Sequence, residues 1–408
     1  MAEHVPALNG CPLRAVPGYL CGLNLEGFAQ MMQNPSSCYK FFWLEAIVET
    51  LSRDVAETTF SDLIDVMIAH AWHPVLEYHI HLSGMMMGEV RDALERAVIE
   101  LHRVSGLRPD ASELEIKNQI HAHEALLRPH KLQLTENVPY RALAGFFPSG
   151  GEKAPWKSPR RMIAFIRRVD SVSRLPYTLG TEPNLGRRVR FSRAWTRLIQ
   201  DNMVPILGWI QFEKARWLQG NNPDVPGLVY KLAPGDGKTR KLIRVRRLWD
   251  AVLEGSRISD VFLGTGIDRR QYDVDHFIPW SYVMNDEFWN LMPITPAINA
   301  SKGSRLPDWD SYFGNFARNQ YILYTAIHDD GRPIIRQRFL KCFQDNLHSI
   351  WASESLYRGG HAEDEFRGIL EKNMRPVYDS ARRQGYQVWT PDALAAREAD
   401  PSPAPGAA

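Results

Sequence analysis

The stretch YDVDHFIPWSY, residues 272–282, decides how this chain is read. Tyr272, Val274, Phe277 and Ile278 are strand formers, and an adjacent Asp275–His276 pair sits among them. Side chains alternate between the two faces of a strand, so the carboxylate and the imidazole point opposite ways. Burying either one without a partner costs free energy. The sequence must therefore supply partners, and candidates follow downstream. Asn290 comes in "WNLMP", then Asn299 in "PAINASKG", with Lys302 three positions on. "WNLM" reads as a second short strand. Thr295–Pro296 reads as a helix start, with Thr at the N-cap and Pro at the first helical position. Asn299 and Lys302 then share one face of that helix. Strand, loop, strand and helix bring Asp275, His276 and Asn299 toward one point.

This D-H…N…N-x-x-K pattern resembles the HNH endonuclease family, the ββα-metal fold. The match is to the form whose last histidine is an asparagine, as in the HNH domain of the RNA-guided nucleases. The likeness runs through "YDVDHFIPWSYVMNDEFWNLMPITPAINASKGSRLP". Many members brace the fold with two C-x2-C pairs on a structural zinc, and this chain has no such cysteines. The hairpin must then be held by packing, through Phe277, Trp280, Trp289 and Leu291.

What the resemblance implies is metal-dependent hydrolysis of DNA phosphodiester bonds, leaving 5′-phosphate and 3′-hydroxyl ends. Asp275 and Asn299 would hold one Mg²⁺ (or Mn²⁺), and His276 would be the general base. Asn290 would fix the loop that orients His276, and Lys302 would contact a phosphate. The chemistry agrees. A neutral imidazole can take a proton at cellular pH, and a carboxylate with an amide oxygen suits a hard cation that keeps several waters. Two alternatives stay open: an RNase, because the chemistry reads phosphate and not sugar, and a nucleic-acid-binding or assembly protein whose module is inactive.

Charge distribution points to the same class of partner. The net charge is only +2, but twelve Lys/Arg lie between Lys153 and Arg197 against two acids, Asp170 and Glu182. "KTRKLIRVRR", residues 238–247, holds six basic residues and no acid, directly upstream of the motif. Lys238, Arg240, Lys241, Arg244, Arg246 and Arg247, with Arg305 after the motif, are the expected phosphate contacts. Trp156, Lys157, Arg160, Arg161, Arg187, Arg188, Arg190, Arg193 and Trp195 suit either a duplex-phosphate cradle or a domain that packs on a partner protein.

The 408 residues are enough for two or three packed units. Helical spacing recurs at Leu44, Ile47, Val48 and Leu51, at Phe60, Leu63, Ile64, Met67 and Ile68, and at Leu94, Val98 and Leu101. An apolar-periodic run extends from Phe191 to Leu218, and "GNNPDVPG" ends that layer. Later, Phe339, Phe343, Leu347, Ile350 and Trp351 form one helical stripe. The expected fold is mostly α with a small α+β insert: a helical N-terminal domain at 1–225, a ββα-metal HNH module at 226–310, a helical C-terminal segment at 311–395 and a disordered tail at 396–408.

Other signals carry less. His70, His73, His79, His81, His121 and His123 have neither an H-E-x-x-H arrangement nor a cysteine partner, and read as core or surface residues. "APGDGKT", 233–239, lacks the leading glycine of a phosphate loop, since Leu232 stands there, and reads as a basic hairpin turn. "GMMMGE", 84–89, reads as a loop or packing feature. Cys11, Cys21, Cys38 and Cys342 read as free thiols of a reducing cytoplasm. No apolar run suits a bilayer, and the N-terminus has no secretion-signal order. "YKFFWLEAIVETL", "AHAWHPV" and "WLQGNNPDVPGLVYKL" are similar to the N-terminal halves of bacterial HNH proteins of restriction and anti-phage defence. That similarity implies a role for this half in recognising DNA or a sensor partner.

Overall fold

The computed structural model describes residues 7–8, 11–12, 23–31, 35, 37–83, 92–148, 153–232, 240–329 and 331–391. The expectations for Lys238 and the 233–239 turn, for 84–89 and for the 396–408 tail lie outside them. The chain forms two compact units, Met1–Pro223 with Leu228–Pro234, and Asp224–Gly227 with Gly235–Ala408.

In the first unit the apolar spacing becomes helix, as expected. Helix α1 (Tyr39–Ser52) buries Leu44, Ile47, Val48 and Leu51. Helix α2 (Phe60–Tyr78) begins at a capping box in which Thr59 and Asp62 satisfy each other's amides, and it buries Phe60, Leu63, Ile64, Met67 and Ile68. Helix α3 (Ala93–Ser105) and helix α4 (Glu113–Ala122) pack beside them. The run from Phe191 to Leu218 is not one helix. It breaks at buried Asn202, whose side chain donates to the Leu198 carbonyl at 2.8 Å, giving α5 (Arg193–Asp201) and α6 (Met203–Asn221). The unit also contains an antiparallel sheet that the periodicity does not announce: β1 (Glu57–Thr59) and β2 (Tyr177–Leu179) flank β3 (Arg188–Phe191). Strands of three or four residues are too short to establish an alternation.

The second unit starts at α7 (Leu242–Leu253), which buries Val245, Leu248, Trp249 and Val252. Strand β4 (Asp273–His276) pairs antiparallel with β5 (Leu291–Ile294), setting Asp273 against Ile294 and His276 against Leu291. Helix α8 (Pro296–Lys302) completes a ββα module. Thr295 occupies its N-cap without a side-chain bond; the Thr295 amide instead donates to buried Asp260 at 2.8 Å. Helices α9 (Trp309–His328), α10 (Pro333–Asn346) and α11 (Glu363–Arg383) share the same hydrophobic core.

These later helices brace the hairpin. Fully buried Phe277 lies 4.6 Å from the Phe316 ring and 5.9 Å from Trp309. Gln320 donates to the Leu291 carbonyl at 2.7 Å. The Glu287 carboxylate receives the Trp289 indole at 3.0 Å and the amides of His348 and Ser349 at 2.8 and 3.2 Å. Phe277, Trp289 and Leu291 are buried as expected, whereas Trp280 is half-exposed beneath the Arg240 guanidinium at 5.2 Å. The stripe expected from Phe339 to Trp351 is cut short. Buried Asn346 donates to the carbonyls of Lys241 (3.0 Å) and Asp286 (2.8 Å), the helix ends there, and Phe343 and Ile350 are 40% and 71% exposed. No helix among the described residues is long and apolar enough to cross a membrane.

Candidate active site

Strand β4 carries Asp273 and Asp275 on one face and His276 on the other. His276 is its last residue, and the imidazole is fully buried, with Nδ1 3.9 Å from Asp275 Oδ1. That distance is too long for a hydrogen bond, and Nδ1 is buried with no hydrogen-bond partner. Nε2 lies 3.0 Å from the Asn285 carbonyl and 3.2 Å from Asp286 Oδ1. A carbonyl only accepts, so Nε2 carries the proton and the lone pair of the neutral ring sits on Nδ1. This tautomer follows from the hydrogen-bond network.

The chain just beyond His276 is locked by Asn290. Its side chain donates to the Ile278 carbonyl and accepts from the Ile278 amide, both at 2.8 Å, and its own carbonyl receives the Phe277 amide at 2.8 Å. Asn290 is fully buried and bonds the backbone of Phe277 and Ile278, the two residues after His276.

Asn299 on α8 donates its amide nitrogen to Asp273 Oδ2 at 3.0 Å, which leaves its Oδ1 as the ligand-type atom. Lys302 does not reach outward to a phosphate. It folds back over β4, is 1% exposed, and places Nζ 2.7 Å from Asp275 Oδ2. Burial pushes the Asp275 carboxyl up, but the Lys302 ammonium 2.7 Å away outweighs it and holds the group well below the usual carboxylate range. Asp286 is likewise lowered: burial opposes ionisation, while the His276 ring and the Lys241 amide, 2.7 Å from Oδ2, favour it.

Asp273, Asp286 and the Asn285 carbonyl are the participants that the motif reading missed. Asp273 had a signal, since it lies two residues before Asp275 and so shares its face. The other two had none, because only the closed loop brings them to the ring.

Among the basic residues, Arg246 stacks over Tyr272 at 4.6 Å, and Tyr272 donates to Asp250 at 2.8 Å. Arg244 bonds the Lys341 carbonyl at 2.9 Å and pairs with Asp345 at 3.0 Å. Arg305 is turned onto the carbonyls of Ser301 and Lys302 at the end of α8, so it satisfies helix-terminal acceptors. Arg247 is exposed.

The residues fit a hard divalent cation. Asp275 lies beside the His276 imidazole and Asn299 is bonded to Asp273, and carboxylate and amide oxygens are the donors such a cation takes. A second trio with ligand-type atoms within 4.8 Å of one another, Glu49, His70 and Glu113, lies in the first unit. There Arg53 contacts Glu49, Lys117 contacts Glu113, and His70 is pushed up to about 9 as Glu45 and Glu49 overcome its burial. Lys117 also lies 3.6 Å from Glu49, so the carboxylates of this trio are tied into a salt-bridge network.

Residues 263–308 match the family model of HNH endonucleases. They form an HNH endonuclease module. The match spans β4, β5 and α8 and stops before the helices that brace them. The HNH module is thus a nuclease element set between α7 and α9 in the second unit. No curated protein and no solved structure matches this chain.

Proposed function

We propose that this chain is a metal-dependent DNA endonuclease that leaves 5′-phosphate and 3′-hydroxyl ends, and that it serves as the nuclease effector of a bacterial anti-phage defence or restriction system. The observation that carries the catalytic reading is the His276 ring, whose Nε2–H is spent on the Asn285 carbonyl while Nδ1 stays bare beside Asp275. Asp275 and Asn299 would hold one Mg²⁺ or Mn²⁺, which when bound neutralises charge on the phosphate and on the departing oxygen. His276 Nδ1 takes the proton from the attacking water, a role typically contributing ~10²–10⁴-fold. The imidazolium that forms is stabilised at Nε2 by the Asn285 carbonyl and by the Asp286 carboxylate 3.2 Å away. Asn290 keeps the ring in register, and Asp273 restrains the Asn299 amide. The defence role rests on the similarity of the N-terminal segments to bacterial defence and restriction proteins.

The test is plasmid cleavage by the purified chain with Mg²⁺ or Mn²⁺, beside His276→Ala and an EDTA control, with single-stranded RNA run in parallel. Nicking or linearisation that disappears in both controls is the expected result. Cleavage of RNA alone would replace DNA as the substrate. Retarded but uncut plasmid under all conditions would make the chain a binding protein.

A further inference from the structure

Helices α7 and α10 of the second unit pack side by side and leave between them a groove of about 340 Å³. Arg244 and Arg247 line it from α7, and Gln337, Arg338 and Lys341 from α10. Four cations on so small a surface repel one another, and such clustering is a field suited to an anion. The groove also holds its charges in place. Arg244 donates to the Lys341 carbonyl at 2.9 Å, and Arg338 donates to the Arg247 carbonyl, so each helix anchors a guanidinium of the other. Among the described residues one acid answers them, Asp345, which pairs with Arg244 at 3.0 Å and with Lys241 at 3.6 Å. Among the described residues, Arg247 and Lys341 have no carboxylate partner. In contrast, Arg188 and Arg190 on β3 both rest on Glu57, at 2.9 and 2.5 Å.

The groove also leads away from the site. The Lys241 amide, just before α7, donates to Asp286, whose Oδ1 is 3.2 Å from His276 Nε2. From there Arg244 and Arg247 follow at three-residue steps, about 4.5 Å of helix rise each. The cations thus run on from the site in one direction along α7.

We propose that the α7–α10 groove binds the phosphate backbone of DNA flanking the scissile bond, without reading sequence. Arg338 and Lys341, outside the family match at 263–308, are then part of the DNA-binding surface together with Arg244 and Arg247. This rests on the reading of the module as a DNA nuclease.

The experiment measures binding of a fluorescent DNA duplex to the full-length chain across a salt series, in the His276→Ala background. It compares that background with added Arg247→Gln/Lys341→Gln, with added Lys341→Glu, and with added Arg188→Gln/Arg190→Gln as a matched loss of charge. Each phosphate contact contributes about 0.9 to the slope of log affinity against log salt. The groove double variant should therefore lose about 1.8 of slope and bind roughly tenfold or more weakly at moderate salt, while the β3 variant stays near the background. Lys341→Glu should weaken binding although only one side chain changes. Equal affinity and slope in the groove variants, with melting temperatures unchanged, would overturn the groove. So would an equal loss in the β3 variant, since net charge alone would then explain it. Wild-type cleavage measured alongside separates the two ideas: cleavage with unaltered salt slopes sinks the groove and keeps the nuclease, whereas no binding or cleavage of DNA sinks both.

Discussion

Two buried constellations in this chain use the same residue types to opposite ends. In the first unit Lys214 lies 2.6 and 2.8 Å from the Glu45 carboxylate, and His70 Nδ1 is 3.7 Å from Glu45. In the second, Lys302 lies 2.7 Å from Asp275, and His276 Nδ1 is 3.9 Å from Asp275. The difference is at the other nitrogen. His70 Nε2 meets the Glu49 carboxylate at 2.8 Å, which helps hold the ring charged with its pKa pushed up to about 9. His276 Nε2 donates to the Asn285 carbonyl at 3.0 Å, with the Asp286 carboxylate 3.2 Å away, and Nδ1 is left without a hydrogen-bond partner. A lysine, a carboxylate and a histidine are therefore not a site in themselves. A backbone carbonyl sharing the second nitrogen with the carboxylate, and a first nitrogen without a hydrogen-bond partner, set His276 apart from His70.

The sharpest way to break this comparison is to remove each histidine. His276→Ala should lower cleavage by ~10²–10⁴-fold, while His70→Ala should leave the rate within about threefold and lower the melting temperature. Initial rates on plasmid, beside thermal melts, read both. If His70→Ala abolished cleavage in a folded protein, the contrast would be wrong.

Next comes the buried lysine. Lys214→Met keeps the stem but strands the Glu45 carboxylate, and removing one partner of a buried pair costs about 3–5 kcal/mol. Denaturant unfolding should show that loss. A change under about 1 kcal/mol would mean that Glu45 finds water or another cation, such as the nearby His70.

The smallest effect is in pH. His70 has a raised folded pKa, so its contribution is fully present below about pH 6.5 and is lost as pH climbs through about 9. Glu49 is lowered to about 2, with burial opposing and His70, Lys117 and Arg53 favouring ionisation. Its contribution is present above about pH 4.5 and is lost as pH falls through about 2. Stability from this network should thus be greatest between about pH 4.5 and 6.5 and decline on the alkaline side by as much as about 3 kcal/mol. Melting temperature against pH checks this, and His70→Gln should flatten the alkaline limb.

Much of the HNH module is legible in the linear chain because its parts are consecutive. The hairpin and helix that carry Asp275, His276, Asn290 and Asn299 span a single short stretch, so the spacing of those residues already encodes which can meet. The capping box at Thr59 and the apolar stripes of α1 to α3 are legible for the same reason: each depends on neighbours within a few turns. The strands β1, β2 and β3 are too short for their period to show, and the break at Asn202 turns on one buried amide bonding the preceding turn.

What the sequence alone determined is a candidate set, an Asp–His pair with two asparagines at the spacing of a strand–strand–helix unit. Tertiary structure decided how that set is poised. It turned Lys302 inward onto Asp275, put Asp273 on the Asn299 amide, brought the Asn285 carbonyl to His276, and laid α10 beside the basic face of α7. Each of these depends on which donor or charge lies within about 3 Å in the folded chain. Hydrogen bonds and buried ion pairs are set by distance in space, and a linear pattern reports distance only where the chain is locally regular.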